Sequence, residues 1–461
     1  MNANFGRRLL FLSAVVIITG LFLGKAPTYP GANVIIVAFD GLQTRHLRAY
    51  GYWLDTTPNL DKFLAQSYLF RHTISPSSWT VPTFMSVFTS MYPSEHQVTN
   101  KYSHYDLTRN NVVLTNLKKL TPAAVTMAEI LKNQGYKTAG FTGDAGVKGA
   151  FGFSQGFDEY YDAQAFGGLD QSIPRALDWL KQNKNQKFLM FLHGYDVHGQ
   201  YAPPDGFDYR YVDQSYRGPF TGSPVEQARL REEGLAGQRL NLTPDDVKFW
   251  RAAYDEKISR ADQQFGEFLS QLSSLGVLDN TVVVLMSDHG TEFYEHQRFD
   301  HGHTLYGELV ETLFAVHVPR QSSGKVLNDQ VSTIDIMPTV LGLLGIRNPV
   351  PTQTRGVDLG PSLMGRNQSR DIFFETDYRL YTHKRGIQTV DGWKLILDLN
   401  SGAVELYNLK DDPNELINLV TQEPKRAYEL EQKVQRHQNE MGDKGPWLLG
   451  CSPAYTDQCL K

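Results

Sequence analysis

The stretch Asn33-Val-Ile-Ile-Val-Ala-Phe39, followed directly by Asp40, decides the fold class of this chain. A short and nearly continuous apolar run is typical of a strand that is covered on both faces. Residues 188–192 and 281–286 have the same form, and polar residues follow each of them. Because the carboxyl ends of parallel strands share one edge of an open sheet, we expect a ligand site at that edge.

Helical patterns lie between these strands. Pro122, with Thr121 as its cap, predicts a helix that carries an apolar face to residue 131. A longer apolar stripe over residues 258–272 ends before Gly276. Alternating strands and helices predict an α/β fold with a mostly parallel sheet. Residues 203–250, which are rich in Pro, Gly and charge, are predicted to form an insertion beside the site.

The sequence changes in character after residue 365. Short β-rich segments separated by turn residues predict a small antiparallel subdomain, and a charged helical stretch follows them. The chain has 461 residues, 41% of them apolar, which is enough for a large core. Its formal net charge of −5 gives no basic surface for nucleic acid, so nucleic-acid partners are not expected.

The two ends of the chain point to export. Arg7 and Arg8 precede an uncharged apolar run over residues 9–24, which predicts a signal peptide or a retained membrane anchor. Cys451 and Cys459 are the only cysteines, and in an exported protein we expect them to form a disulfide that holds the C-terminal tail; two free thiols are the alternative. The predicted location is periplasmic or extracellular.

Three strand-end residues have the chemistry of metal ligands. Asp40, Asp288 and His289 offer carboxylate and imidazole donors, a set that suits Zn²⁺, Mn²⁺ or Mg²⁺. A lone Asp after a strand is more often a turn residue or a helix cap than a metal ligand, and Asp-His-Gly alone is a weak signal. Their shared position after buried strands favours a metal site.

Thr80 is the candidate nucleophile. It precedes Pro82, where a helix can begin, and the start of a helix presents N–H groups and the positive dipole end to an anion. A metal can stabilise the alkoxide of a hydroxyl that is otherwise a poor nucleophile. The alternative is that Thr80 only caps the helix.

These motifs occur in the order in which they are found in the sulfatase family of the alkaline phosphatase superfamily, which the chain resembles over residues 31–420. The resemblance implies an alkaline phosphatase-like three-layer α/β/α core over residues 31–365, after a signal or anchor segment over residues 1–26, and a small C-terminal antiparallel β subdomain with its tail over residues 366–461. The segments that carry it are Asn33 to Asp40, Tyr50-Gly-Tyr52, Thr56-Thr-Pro-Asn-Leu-Asp61, Trp79-Thr-Val-Pro82, Tyr92-Pro-Ser-Glu-His96, Ser287-Asp-His-Gly290, Phe299-Asp-His-Gly302, Asp335-Ile-Met-Pro-Thr339 and Glu405-Leu-Tyr-Asn-Leu-Lys-Asp-Asp-Pro413.

The resemblance also implies roles for individual residues. Asp40, Thr80, Asp288 and His289 would surround a divalent metal (Zn, Mn, Mg or Ca), and Thr80 would attack phosphorus or sulfur. His198 and His301 match positions that in relatives bind a second metal or supply protonated groups to substrate oxygens, and Asp196 would join them in the two-metal case. For each further histidine the alternative is an exposed loop residue. Four further residues are therefore candidates for the site. They are His198 and His301, expected to be catalytic, and Asp196 and His303, expected to bind substrate.

Two departures from the family pattern shape the functional hypothesis. Many sulfatases have Cys or Ser, then Pro, then Arg, and oxidise the first residue to formylglycine; the corresponding residues here are Thr80, Pro82 and Phe84. Threonine cannot give that aldehyde. Gly41 and Gln43 stand where many relatives have Asp and Arg.

We therefore expect a hydrolase of phosphate mono- or diesters that works through a covalent Thr80 intermediate on a small-molecule, glycan or lipid ester. The alternatives are a sulfuric ester hydrolase, a phospho-headgroup transferase at a membrane surface, and a binding protein without activity.

Overall fold

The computed structural model describes residues 26–99, 104–106, 111–113, 118–144, 146–163, 166–199, 201–202, 209–379 and 382–443. Residues 9–24, Cys451 and Cys459 lie outside these ranges, so export, anchoring and the disulfide stay predictions. In the part of the chain that is described, no helix is long and apolar enough to cross a membrane.

The strands and helices alternate along the first three quarters of the chain. The strands are β1 Asn33–Phe39, β2 Tyr68–Ile74, β3 His104–Asp106, β4 Asn111–Val113, β5 Lys137–Phe141, β6 Glu159–Tyr161, β7 Phe188–Gly194, β8 Thr281–Ser287, β9 Glu292–Phe293, β10 Phe299–Asp300, β11 Phe314–His317, β12 Lys325–Ser332, β13 Ile372–Tyr378, β14 Thr382–Gln388, β15 Trp393–Asp398 and β16 Val404–Asn408. The helices are α1 Pro58–Leu64, α2 Thr80–Thr89, α3 Pro93–His96, α4 Met127–Asn133, α5 Leu169–Asn183, α6 Pro224–Leu235, α7 Pro244–Ser274, α8 Gly307–Val310, α9 Ile336–Leu343, α10 Gly360–Leu363 and α11 Pro424–Glu440.

An eight-stranded sheet in the order β12-β2-β11-β8-β1-β7-β5-β6 forms the centre of the molecule. Strand β11 runs antiparallel to both of its neighbours, β2 and β8. The other neighbouring strands of this sheet run parallel. This arrangement confirms the predicted α/β class with a mostly parallel sheet.

The apolar run of β1 is buried because side chains alternate between two covered faces. Val34, Ile36 and Ala38 pack into one hydrophobic cluster, and Ile35 and Val37 pack into the other. Burial of each Val or Ile side chain contributes roughly 1.5–3 kcal/mol relative to an exposed one. The sheet is therefore the middle layer of three, as the family resemblance implied.

Two helix predictions need correction at their starts. The first helix begins at Met127, not at Pro122, because Thr126 and Glu129 form a reciprocal capping box that fixes a later N-terminus. Helix α7 begins at Pro244, inside the stretch that was predicted to be an insertion, and it includes the whole apolar stripe. It ends before Gly276, whose φ of +68° is left-handed.

The C-terminal subdomain is a four-stranded antiparallel sheet in the order β13-β14-β15-β16, as predicted. Helix α11 packs on one face of it through Leu430 and Val434. The boundary between the two parts at residue 365 stays a prediction.

Arg385 stands at the centre of a buried ionic cluster in this subdomain. Strand β14 places it opposite Glu375 on β13, and its guanidinium also reaches Asp377 at 2.7 Å and Asp443 at 2.9 Å. Glu375 in turn accepts a hydrogen bond at 2.6 Å from the N–H of Ser94 in the catalytic part of the chain. Arg385 therefore neutralises the carboxylate that joins the two parts.

Replacing this cation should destabilise the fold. We expect Arg385→Met to lower the free energy of unfolding by about 3–5 kcal/mol, because it leaves buried carboxylates without their partner. Lys181→Met is the control, since Lys181 is 61% exposed and its pair with Asp178 contributes at most about 1 kcal/mol. Urea unfolding measures both variants; equal midpoints for the two would contradict this assignment.

Candidate active site

The register of the central sheet brings three strand ends together. Phe39 of β1 lies opposite Ser287 of β8 on one side and opposite Gly194 of β7 on the other. The residues that follow Phe39 and Ser287 are Asp40 and Asp288, so two carboxylates emerge side by side at the carboxyl edge. Both are fully buried.

Asp288 and His289 each have one side-chain atom in a hydrogen bond with the backbone, and the other atom faces a common centre. Asp288 Oδ1 accepts from the N–H groups of Gly41 at 3.0 Å and His289 at 2.9 Å. Its Oδ2 has no hydrogen-bond partner in the described part of the chain and lies 3.3 Å from His289 Nε2. His289 Nδ1 is 2.7 Å from the carbonyl oxygen of Gly290 and donates to it, which leaves Nε2 free to face Asp40 at 3.6 Å.

Thr80 completes this group of donors. Helix α2 begins at Thr80, and the capping position before it is occupied by Trp79, whose side chain makes no capping hydrogen bond. The Oγ1 atom of Thr80 lies 3.4 Å from Asp40 Oδ1 and 3.3 Å from His289 Nε2. The hydroxyl therefore faces the carboxylates and the imidazole and does not cap the helix.

The donor set fits a divalent cation. Four ligands held around a metal by bonds of about 2.1 Å lie roughly 3.4 Å apart in a tetrahedral arrangement. His289 Nε2 lies 3.3 Å from Thr80 Oγ1, 3.3 Å from Asp288 Oδ2 and 3.6 Å from Asp40 Oδ1, and Thr80 Oγ1 lies 3.4 Å from Asp40 Oδ1. The orphaned Asp288 Oδ2 is a second sign, because a fully buried carboxylate oxygen without a partner is costly. Burial and the adjacent charge of Asp40 raise the pKa of Asp288 to about 6. A bound cation would remove this repulsion.

The carboxyl of Asp40 is held in its charged form. Burial alone would raise its pKa, but the neighbouring charge of His198, a hydrogen bond from His193 and the charge of His289 hold the pKa well below its ordinary range. An anionic carboxylate is the form that binds metal.

His193 is one of the polar residues that follow a buried strand in the sequence, but the sequence alone does not assign a role to it. Its Nδ1 lies 3.3 Å from the N–H of Gly143 and accepts from it, and its Nε2 lies 3.1 Å from Asp40 Oδ2 and donates to it. The imidazole is fully buried and packs against the ring of Phe84 at 5.1 Å. It fixes the outer oxygen of Asp40, so that Oδ1 points toward the other donors.

His198 and His301 lie beside the donor set, and their catalytic roles stay predictions. The ring of His301 stacks on His289 at 4.4 Å, and the ring of His198 lies 4.8 Å from His301. Ring nitrogens of His198, His289 and His301 lie within 4.8 Å of one another, close enough to share a second metal ion or to pass a proton.

Asp300 orients His301 and was not recognised from the sequence. Its Oδ1 contacts His301 Nδ1, while Oδ2 accepts from Arg231 at 3.1 Å and Gln227 at 3.3 Å on helix α6. Burial lowers the pKa of His301 to about 3, although the charge of Asp300 opposes this shift. Part of the stretch predicted as an insertion thus supports a site histidine.

The hydrogen bonds that Asp196 and His303 make are with residues outside the donor set. Asp196 Oδ2 accepts at 2.7 Å from the N–H of Leu169, and its side chain lines a cavity that His198 also lines. His303 Nε2 lies 2.8 Å from Glu292 Oε2. Neither residue joins the group that surrounds Asp288, and their contact with substrate stays a prediction.

Phe84 explains one departure from the family pattern. It is fully buried in the core of the protein, with its ring 5.6 Å from Phe191 and close to His193. A charged Arg at this position would need a partner that these aromatic neighbours do not supply.

Comparison with known proteins agrees with this geometry. The family model described as "Sulfatase" matches residues 32–346, and the model "N-sulphoglucosamine sulphohydrolase, C-terminal" matches residues 294–443. The chain belongs to the sulfatase family. It is therefore an ester hydrolase of the alkaline phosphatase superfamily, a family whose members typically use a divalent metal.

Similar proteins cover most of the chain. A "Sulfatase" of Formosa agariphila is 24% identical over 84% of this chain and 82% of its own length. An N-acetylglucosamine-6-O-sulfatase of Bacteroides thetaiotaomicron is 23% identical over 90% of this chain and 87% of its own length.

Solved structures share the fold at low identity. A protein in complex with its substrate D-glucosamine-2-N,6-O-disulfate has a TM-score of 0.69 at 19% identity, covering 91% of this chain and 99% of its own. A phosphonate monoester hydrolase of Agrobacterium radiobacter has a TM-score of 0.69 at 17% identity, covering 89% and 96%. These structures show a shared fold, and the comparisons do not confirm the phosphate-ester hydrolysis that the sequence predicted.

The donor set predicts metal content directly. We expect divalent metal to copurify with the protein and to be lost from Asp288→Ala, because this substitution removes the unpartnered oxygen. Asp178→Ala, which changes an exposed carboxylate, should retain the metal. Elemental analysis by mass spectrometry checks both variants; wild-type metal content in Asp288→Ala would show that these residues are not the ligands.

Proposed function

We propose that this protein hydrolyses sulfuric esters of sugars or small alcohols, with the hydroxyl of Thr80 as the nucleophile. The observation that carries the proposal is the position of Thr80 Oγ1, which lies within 3.4 Å of both Asp40 Oδ1 and His289 Nε2. The sulfate-ester substrate class is supported by the relatives, which include an N-acetylglucosamine-6-O-sulfatase.

Asp40, Thr80, Asp288 and His289 would hold the divalent metal. When bound, this ion lowers the pKa of a coordinated hydroxyl and screens the negative charge of the ester oxygens. The start of helix α2, with its positive dipole end, lies at the same point and favours an anion there.

The first step transfers the sulfuryl group to Thr80. The hydroxyl proton of Thr80 would pass to solvent when the cation is bound, so that Oγ1 reacts as the alkoxide. It forms a bond to sulfur while the bond from sulfur to the leaving oxygen breaks. His198 donates a proton to that oxygen, so the product leaves as an alcohol. We assign this role to His198 because its side chain, 15% exposed, lines the cavity next to the donor set.

The second step restores the enzyme. Water attacks the sulfur of the Thr80 ester, the bond from sulfur to Oγ1 breaks, and sulfate leaves. His198 takes the proton that the attacking water loses, so it returns to the form that began the cycle. His301, held by Asp300, lies beside His198 and orients its ring.

Phosphate-ester hydrolysis is the second candidate function. It is favoured by Thr80 itself, because a threonine cannot become the formylglycine on which many sulfatases depend. One structure with the same fold is a phosphonate monoester hydrolase. The same residues would transfer a phosphoryl group by the same two steps, so the two candidates differ only in substrate.

Substitution of Thr80 tests the nucleophile and the substrate class together. We expect Thr80→Ala to lose several powers of ten in kcat on the preferred ester, and Thr80→Ser to keep part of the activity because the hydroxyl remains. Assays on matched 4-nitrophenyl sulfate and 4-nitrophenyl phosphate measure both variants. Near-wild-type turnover by Thr80→Ala would reject the covalent route, and a large preference for phosphate would favour the second candidate.

The leaving group tests His198. We expect His198→Gln to reduce kcat/KM by about 10²–10⁴ for sugar sulfates, whose alkoxide must be protonated, and far less for 4-nitrophenyl sulfate, whose leaving group needs no proton. The measurement is a series of sulfate esters with leaving groups of increasing pKa. An equal loss along the whole series would mean that His198 is not the acid.

A further inference from the structure

A cavity of about 400 Å³ opens beside His198. Tyr195 and His198 form its inner wall, and the half-exposed ring of Phe166 lies 6.3 Å from the ring of His198. Among the site residues, His198 connects this cavity with the donor set, because its Nε2 lies 3.9 Å from Asp40 Oδ1. The body of an ester substrate whose sulfate reaches Thr80 would therefore lie in this cavity.

The outer wall of the cavity carries three cations. Helix α7 supplies Lys257 and Arg260, which are one turn apart, and helix α6 supplies Arg231. Arg231 pairs with Asp300 at 3.1 Å, and Arg260 lies 3.7 Å from Asp170. Two of the three cations are thus already neutralised by partners.

Lys257 differs from its neighbours. Among the described residues its ammonium makes no hydrogen bond and no ion pair. Burial lowers the pKa of Lys257, while the charges of Asp196 and Asp170 oppose the shift from a distance. Asp196 uses Oδ2 to accept from the N–H of Leu169. A partly buried ammonium without a partner in a cavity wall is suited to bind an anion from the ligand.

The size and the walls of the cavity indicate what carries this anion. A volume near 400 Å³ holds a small molecule of the size of one or two sugar rings. The exposed face of Phe166 can pack against the C–H groups of such a ring. Since the ester sulfate is held at Thr80, the group that meets Lys257 is a second one.

We propose that the cavity is a second anion subsite in which Lys257 selects sugars that carry a second sulfate or a carboxylate in addition to the ester that is cleaved. This inference rests on the proposed function, because it places the cleaved ester at Thr80. Lys257 is a specificity-determining residue, and the chemistry it recognises is a second negative charge on the same small sugar.

Binding measured by calorimetry on the metal-loaded full chain tests the subsite. N-acetylglucosamine 6-sulfate, whose amide carries no charge, is compared with glucosamine 2-N,6-disulfate for the second sulfate, and glucose 2-sulfate with glucuronate 2-sulfate for the carboxylate. In the wild type we expect at least one doubly charged sugar to bind about 10- to 100-fold more tightly than its singly charged match. The pair that shows the difference identifies the second group.

Three variants locate the effect. Lys257→Met should abolish the difference within the pair, and Lys257→Arg should retain most of it. Lys248→Met is the matched control, because Lys248 lies on the same helix, is 77% exposed and should leave the difference unchanged. Thermal unfolding of each variant shows whether the fold is kept; if the Met variant does not fold, Lys257→Gln, which is polar but uncharged, replaces it and should also abolish the difference.

Two results would overturn the subsite. One is a wild type that binds both members of each pair equally or binds none of the sugars, and the other is a folded Lys257→Met that still discriminates. A wrong proposed function would give a different set of results. The wild type would then fail to hydrolyse any sulfate ester, while a charge preference that depends on Lys257 would still be seen in binding.

Discussion

Two carboxylates, Asp40 and Asp288, lie side by side at the carboxyl edge of the central sheet with no exposure to solvent. Burial and the neighbouring charge of Asp40 together raise the pKa of Asp288 to about 6. Hydrogen bonds nevertheless hold both carboxylates in place. Backbone N–H groups donate to Asp288 Oδ1, and the His193 imidazole donates to Asp40 Oδ2, so Asp288 Oδ2 and Asp40 Oδ1 face the centre of the site. A cation bound between the two carboxylates would offset their repulsion, and Thr80 Oγ1 lies at the same centre, 3.4 Å from Asp40 Oδ1 and 3.3 Å from His289 Nε2.

The rest of the molecule supports this centre from two directions. Helix α6 holds Asp300, which orients His301, through Arg231. From the C-terminal subdomain, Tyr378 at the end of β13 packs against Trp79 with ring centres 5.4 Å apart and against His301 at 6.0 Å. The small subdomain is therefore part of the wall of the site, which gives a physical reason for the ionic cluster that joins it to the catalytic part.

The sequence predicted what depends on local pattern. The observed bounds of β1 match the predicted ones, because an apolar run buried on two faces is bounded by polar residues. Asp40 and Asp288 could be selected as candidates because each directly follows such a buried strand. The start of α4 was wrong because the capping box at Thr126 outweighs the proline before it. His193 and Asp300 could not be recognised as site residues from the sequence. Their roles depend on which strand or loop lies next to them in the fold, and a single sequence does not show that arrangement.

The central claim is that Thr80 is the nucleophile of this centre, and its most direct test is capture of the covalent intermediate. Metal-loaded enzyme is mixed with a fast aryl sulfate or phosphate ester, quenched in acid within one turnover, digested and mapped by mass spectrometry. The account predicts that the peptide containing Thr80 carries one sulfuryl or phosphoryl group, and that this adduct forms and decays at the rate of turnover. A burst of released alcohol with an unmodified Thr80 peptide, or an adduct on another residue, would contradict it.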